Sequence, residues 1–207
     1  RDFDNYDKIA DHLIVIDKNK QKNKIVGTYR LLNGEIANKN NGFYSEQEFD
    51  LSNIKNFYSK DSILELGRSC IHPDYRSGLI IKLLWQGIAQ YIQIHKIKLL
   101  IGCASFPDIN ISRIKKQLIY LQKNHSLPNK LSIISNQNKT VLKNCKNNTL
   151  IDNKTFKFLP PLIKGYLSVG GMVSKDYYID HQFKTIDVCM VVFTDKINNK
   201  YKKKFLH

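Results

Sequence analysis

The chain has 207 residues, with 33 Lys and Arg against 18 Asp and Glu, a formal net charge of +15. That length fits one domain with a sizeable core, and no run approaches the roughly 18–20 uncharged apolar residues of a membrane-spanning helix. Only five of the basic residues are Arg (1, 30, 68, 76 and 113), and no nucleic-acid motif accompanies them, so the charge points to acidic proteins or anionic lipid and away from nucleic acid. The Lys excess, set among abundant Asn and Ile, is equally the mark of a compositional bias. Four cysteines without CxxC spacing, three of them in apolar strand-like runs, suit reduced core thiols in a cytoplasmic protein. The sequence opens at Arg1, without Met and without a charged-then-apolar leader. It therefore reads as a single domain over 1–207 that lacks its N-terminal segment.

In chain order, Asp2–Asp11 is acidic and His12–Asp17 reads as a strand. After a polar turn, Ile25–Leu32 reads as its hairpin partner. Arg30 stands among Val, Ile and Leu in that second strand, a setting for a buried or site charge. Asn33–Gly42 is a loop. Phe43–Phe57 is amphipathic, with Ser45 and Glu48 in capping-box spacing. Ile63–Ile71 is the central strand, apolar except for Glu65 and Arg68 in its middle. The turn at 72–78 leads into a helix over Leu79–His95. Its polar positions Lys82, Gln86, Gln90 and Gln93 form one narrow stripe, which leaves Leu83, Ile94 and the other apolar residues to face neighbouring elements. Ile97–Ala104 is a buried strand, and the helix before it allows parallel pairing with the central strand.

Ile109–His125 reads as helix. Residues 126–157 are Asn- and Lys-rich loop with a weak strand at Leu131–Ser135. Pro160 and Pro161 open a helix that runs through Val169 to Gly170. Ile186–Thr194 is the last strand, and Asp195–His207 a basic tail. A central strand followed by a heavily buried helix predicts an α/β or α+β fold with a mixed sheet.

Asp4, Asp7, Arg30, Glu65 and Arg68 are the first candidate constellation. Glu65 and Arg68 are three apart, so a regular strand would point them to opposite faces. A bulge near Gly67 would bring them together. Such a network either fixes the fold or forms a site. Arg76 and Gly78 open the long helix, where backbone N–H groups meet phosphate. The six histidines have no metal-ligand spacing, so no metal is expected. Cys103 lies in an apolar strand, where a thiol is ordinarily inert.

These residues carry a resemblance. Strand, IHPDYR turn and helix resemble the core of the GCN5-related N-acyltransferase (GNAT) fold. Seven blocks in order, among them DFDxxDxxxDHL (2–13), VGTYRLL (26–32), GFYSEQEFDL (42–51), LELGRSCIHPDYR (64–76) and DHQFKTIDV (180–188), resemble the bacterial ornithine–acyl-carrier-protein N-acyltransferases, sometimes labelled hemolysin-like. The resemblance implies a splayed central sheet flanked by helices. It also implies transfer of a (3-hydroxy)acyl chain from acyl-carrier protein to the α-amine of ornithine, the first step of ornithine lipid biosynthesis. Acyl-carrier protein would be the donor substrate, with no cofactor, and the protein would sit in the cytoplasm in peripheral contact with the anionic inner membrane.

More distantly the blocks are similar to acyl-homoserine-lactone synthases, in which Asp-x-x-Asp, an Arg in the second strand and Glu-x-x-Arg surround the acceptor. The resemblance places Glu65, Arg68 and Arg30 in the catalytic cluster and Asp4 and Asp7 beside the acceptor. Ser69, Cys103 and Ser105 would line the strands that bind the acyl thioester, with Tyr166 near the departing thiolate and Arg76 and Gly78 at the donor phosphate. Two features depart from the pattern. Arg76 is followed by Ser77-Gly78-Leu79-Ile80, without the glycines that cradle a coenzyme A pyrophosphate, which suits a carrier-protein donor. The resemblance also implies an aromatic and Arg-bearing N-terminal helix, which a sequence opening at Arg1 is expected to lack. A lactone synthase and a non-catalytic acyl-chain or membrane-binding module are the alternatives.

Overall fold

A computed structural model describes residues 3–19, 23–137, 139–140, 153–198 and 201. The hairpin forms as expected: β1 (Asp11–Asp17) pairs antiparallel with β2 (Lys24–Asn33), which is followed by the short helix α1 (Gly34–Lys39). Next come β3 (Phe49–Asp50), α2 (Ser52–Phe57) and the central strand β4 (Ile63–Ile71). Helix α3 (Leu79–Ile94) then crosses to β5 (Leu99–Phe106). Helix α4 (Ile111–Asn124) and the two-residue strands β6 (Ile134–Ser135) and β7 (Lys139–Thr140) lead to α5 (Pro161–Ser168). Strands β8 (Met172–Val173), β9 (Asp176–Asp180) and β10 (Thr185–Phe193) complete the fold. The main sheet runs β1-β2-β4-β5-β10-β9-β7, with β8 also on β10, and β3 pairs with β6.

Among the described strands, β4 and β5 are the one parallel pair, joined by the α3 crossover. Their pairing covers Ile63↔Leu99 to Glu65↔Ile101 and then stops, although both strands continue. The sheet is splayed from Leu66 and Gly102 onward. This is the mixed, helix-flanked sheet expected of a GNAT-like fold. A Cβ on Gly102 would lie 2.4 Å from the Leu66 carbonyl oxygen, so only glycine lets the strands meet before they part. Gly102→Val is expected to cost about 2–3 kcal/mol through forced backbone movement. A urea unfolding midpoint equal to wild type would refute that reading.

Strand alternation divides the core between the two faces of the sheet. One face packs Tyr29, Leu31, Leu64, Leu66, Ala104 and Val188 under α3, α4 and α5. The other packs Leu32, Ile63, Leu99, Ile101, Cys189 and Val191 under α1, α2 and the 3₁₀ turn Tyr44–Gln47. Arg30, Glu65, Cys103 and Asp187 share the parity of this second set. The pleat alone thus aims one polar residue from each of four neighbouring strands at the same side.

Several expectations are corrected. Leu83 and Ile94 of α3 face solvent, at 39% and 74% exposure. The helix buries only the narrower stripe Ile80, Leu84, Trp85 and Ile88 on the sheet. Cys70 is exposed because β4 has by then left β5, so it is not a core thiol. The Ser45/Glu48 capping box does not form: Glu46 closes the cap on the Phe43 N–H at 2.8 Å, and Ser45 and Glu48 turn inward. Within the Asn/Lys-rich stretch, Ser126 bridges Val173 and β6 pairs with β3. Residues 138 and 141–152, with Cys145, lie outside the described residues, as do Asp2 and most of the basic tail. No helix among the described residues is long and apolar enough to cross a membrane.

Candidate functional site

Between Thr28 and Arg30 the β2–β4 register slips, Thr28 pairing Cys70 and Arg30 pairing Gly67, so β4 carries an extra residue. Arg68 takes the left-handed conformation there, at φ +46, rather than its glycine neighbour. The bulge brings Arg68 to the side of Glu65 and Arg30, and all three line one cavity of about 350 Å³.

Arg30, 3% exposed, donates to Asp4 at 2.7 Å and Asp7 at 3.0 Å, and Arg68 reaches the other oxygen of Asp4 at 2.9 Å. Asp4 and Asp7 are delivered by a 3₁₀ turn, Asn5–Lys8, that Asp4 caps. Both guanidiniums lie against the Tyr44 ring, at 5.3 and 5.0 Å, which fixes their planes. Burial pushes the Asp7 carboxyl up, but the Asp4 N–H and the Arg30 guanidinium together hold it below its ordinary value.

Glu65 makes no ion pair with these groups among the described residues, although the Arg30 charge acts on it and favours its carboxylate. It is 4% exposed and accepts from the Tyr44 N–H at 2.8 Å, the Ser45 N–H at 2.7 Å and the Ser45 hydroxyl. Burial pushes its pKa up against those hydrogen bonds. The Cys103 thiol touches the Ser45 hydroxyl at 3.5 Å, and burial pushes it well above its ordinary pKa.

Ser105 lines the same cavity beside Asp187. Ser69 is exposed and lines a neighbouring groove of about 630 Å³ with Thr28, Tyr29 and Cys70. Tyr166 is buried against Trp85, beside Tyr29, on the α3 face of the sheet and away from the acidic side. Arg76 donates to the Ile71 carbonyl at 3.1 Å, and Gly78 begins α3 at φ +96 with no side-chain cap.

Three further residues join the cavity that the sequence did not mark as site residues: Glu48, Asp180 and Asp187. One oxygen from each lies within 4.8 Å of the others, the one such acidic group among the described residues. Glu48 and Asp187 are 5% and 3% exposed. Burial, with Asp187 beside it, pushes the Glu48 carboxyl up to about 7, and burial likewise raises Asp187. The signal was available, since Glu48 lies in the GFYSEQEFDL block and the two aspartates in DHQFKTIDV. Its weakness was local: Glu48 fits a helix cap and Asp180 an ordinary turn.

Residues 1–86 match a family model described as an acetyltransferase (GNAT) domain. Over 97% of its length the chain is 37% identical to an L-ornithine N(alpha)-acyltransferase of Agrobacterium fabrum, of which it covers 70%. It is also 37% identical, over 97% of the chain, to the protein of that name from Brucella abortus, of which it covers 73%. Among solved structures, the CoA-dependent acyl-homoserine lactone synthase MesI aligns over 95% of this chain and 69% of that one, with a TM-score of 0.45 and 11% identity.

Proposed function

This chain belongs to the L-ornithine N(alpha)-acyltransferases, and on that premise we propose that it transfers a (3-hydroxy)acyl group from acyl-carrier protein to the α-amine of ornithine, giving lyso-ornithine lipid. The observation that carries the reading is the cavity beside the splayed strands, which holds two guanidiniums and a buried carboxylate on one face of the sheet.

An amine protonated at neutral pH is not nucleophilic, so a base must take its proton. Glu65 Oε1 already accepts two hydrogen bonds but Oε2 only one. Oε2 therefore has a lone pair left for the amine N–H or an intervening water. Arg68 and Arg30 supply the positive side of the cavity, where an α-carboxylate is stabilised. The free amine attacks the thioester carbonyl, and amides of the parted segments Arg68–Ile71 and Gly102–Ser105 polarise it. Collapse expels the pantetheine thiolate, which regains a proton as the amide forms. At the far end, Arg76 and the open N-terminus of α3 at Gly78 suit the single phosphodiester of a pantetheine arm. An acidic carrier protein is the natural partner of a chain with net charge +15, and the same charge suits contact with an anionic inner membrane.

The test is a mass spectrum of the product formed from acyl-carrier-protein thioester and ornithine by the full-length protein. N-acyl-ornithine is expected. A lactone, or binding of the carrier protein without any product, would overturn the reading.

A further inference from the structure

The cavity has an acidic end that the transfer chemistry above does not use. Glu48 arrives from the turn before β3, Asp180 from the end of β9 and Asp187 from β10. Asp180 Oδ1 is occupied by the N–H groups of Gln182 and Phe183, at 2.7 and 2.9 Å, and Asp187 Oδ2 accepts from the Thr185 hydroxyl at 3.3 Å. The Cys103 thiol lies by the Glu48 carboxyl and the Ser105 hydroxyl by Asp187, but Glu48 Oε2 and Asp187 Oδ1 are enclosed without a hydrogen-bond partner among the described residues, on side chains more than nine-tenths buried that line the cavity. Leaving buried carboxylate oxygens unmatched is costly, and crowding three acids adds to that cost. The arrangement is satisfied by a cation.

We propose that Glu48, Asp180 and Asp187 form the subsite for the side-chain ammonium of the acceptor amino acid, and so select a short diamino acid. This rests on the transferase reading above and adds its acceptor specificity. An ammonium carries three N–H donors. The centre of a triangle with 4.8 Å sides lies about 2.8 Å from each corner, an N–H···O distance, so one nitrogen can serve all three carboxylates. Arg68 and Arg30 line the same cavity, so an amino acid whose carboxylate meets the guanidiniums can extend its ammonium to the acids. A divalent metal is the rival occupant of three carboxylates, and the experiment below separates the two.

The cluster also explains a choice between two amines. Three carboxylates stabilise the charged form of whichever amine they hold, and a charged amine does not attack a thioester. The amine held there is protected, and the other, toward Glu65, is the one that loses its proton. Acylation is thereby directed to the α-position.

The experiment compares ornithine with norvaline, which has the same carbon chain and no side-chain ammonium, in the full-length protein with an acyl-carrier-protein donor. Wild type is expected to prefer ornithine by about 30-fold or more in kcat/KM, as for other buried charge pairs. Glu48→Gln and Asp187→Asn should each remove most of that preference, chiefly through KM for ornithine, and tandem mass spectrometry should detect δ-acylated product. The wild-type comparison needs no variant to fold. Equal use of ornithine and norvaline by wild type would overturn the subsite while leaving N-acyl transfer intact. Chelator-sensitive activity with an unchanged ornithine preference in both variants would also overturn it, assigning the acids to a metal. Should neither amino acid be acylated, the transferase reading fails. Calorimetry then judges the subsite: ornithine binding that norvaline does not match, and that Glu48→Gln abolishes, supports it, and equal or absent binding refutes it.

Discussion

Glu65→Gln is expected to lower the turnover of N-acylation by about 10²–10⁴-fold, the usual contribution of a positioned base, while the protein stays folded. Glutamine keeps the shape and one acceptor oxygen, but its amide nitrogen must face one of the N–H groups of Tyr44 or Ser45 that the carboxylate now accepts. That mismatch costs about 1–3 kcal/mol. It is offset in part because a neutral group replaces a charge that is 4% exposed. The prediction therefore separates two readouts: thermal unfolding should change little, and single-turnover acylation should nearly vanish. Turnover within a few fold of wild type would remove Glu65 from the proton transfer. Its role would then be to hold the Tyr44–Ser45 turn, and with it the ring against which both guanidiniums lie.

Replacing Arg30 has the larger effect on stability. Arg30→Met preserves volume but leaves Asp4 and Asp7 facing each other with only Arg68 nearby. Breaking a buried ion pair from one side costs about 3–5 kcal/mol because the remaining charges stay unmatched. Asp4 and Asp7 keep some solvent exposure, 24% and 15%, which places the expected loss at the low end, about 3 kcal/mol. Changing all three together, Arg30→Met with Asp4→Asn and Asp7→Asn, should recover most of that loss, since no charge is then stranded.

The same network sets an acid limit. The folded pKa of Asp7 is depressed below the unfolded value of 3.8, so its contribution is fully present above that pH and is lost as pH falls through the folded value. In Arg30→Met the acid limb of the stability profile should flatten below the unfolded value of 3.8. A triple variant no more stable than Arg30→Met, or an unchanged acid limb, would show that the guanidinium does not act through these two acids.

Much of the site was legible because it obeys period-two geometry. An Arg among apolar residues in the second strand and a Glu in the central strand had to be buried, and Glu65 and Arg68 needed a bulge to share a face. The hairpin, the central strand, the crossover helix and the last strand follow from apolar runs bounded by polar turns. Glu48 was misread for an equally physical reason. Ser45 and Glu48 have capping-box spacing, and a local pattern cannot reveal that a buried carboxylate twenty residues later will take the Ser45 hydroxyl and the backbone N–H groups beside it.

Sequence by itself determined the family, the order of the elements and the parity that aims Arg30, Glu65, Cys103 and Asp187 at one face. Local residue spacing governs all of these. Tertiary structure alone decided which of these groups touch: Asp4 and Asp7 close on the guanidiniums without Glu65, and Glu48, Asp180 and Asp187 gather on the wall of the same cavity. Asp180 and Asp187 are close in the chain, but the other partnerships join residues 23 to 139 positions apart. They depend on where pairing between β4 and β5 stops and on how the β9–β10 hairpin folds back, long-range contacts that no short stretch of sequence encodes.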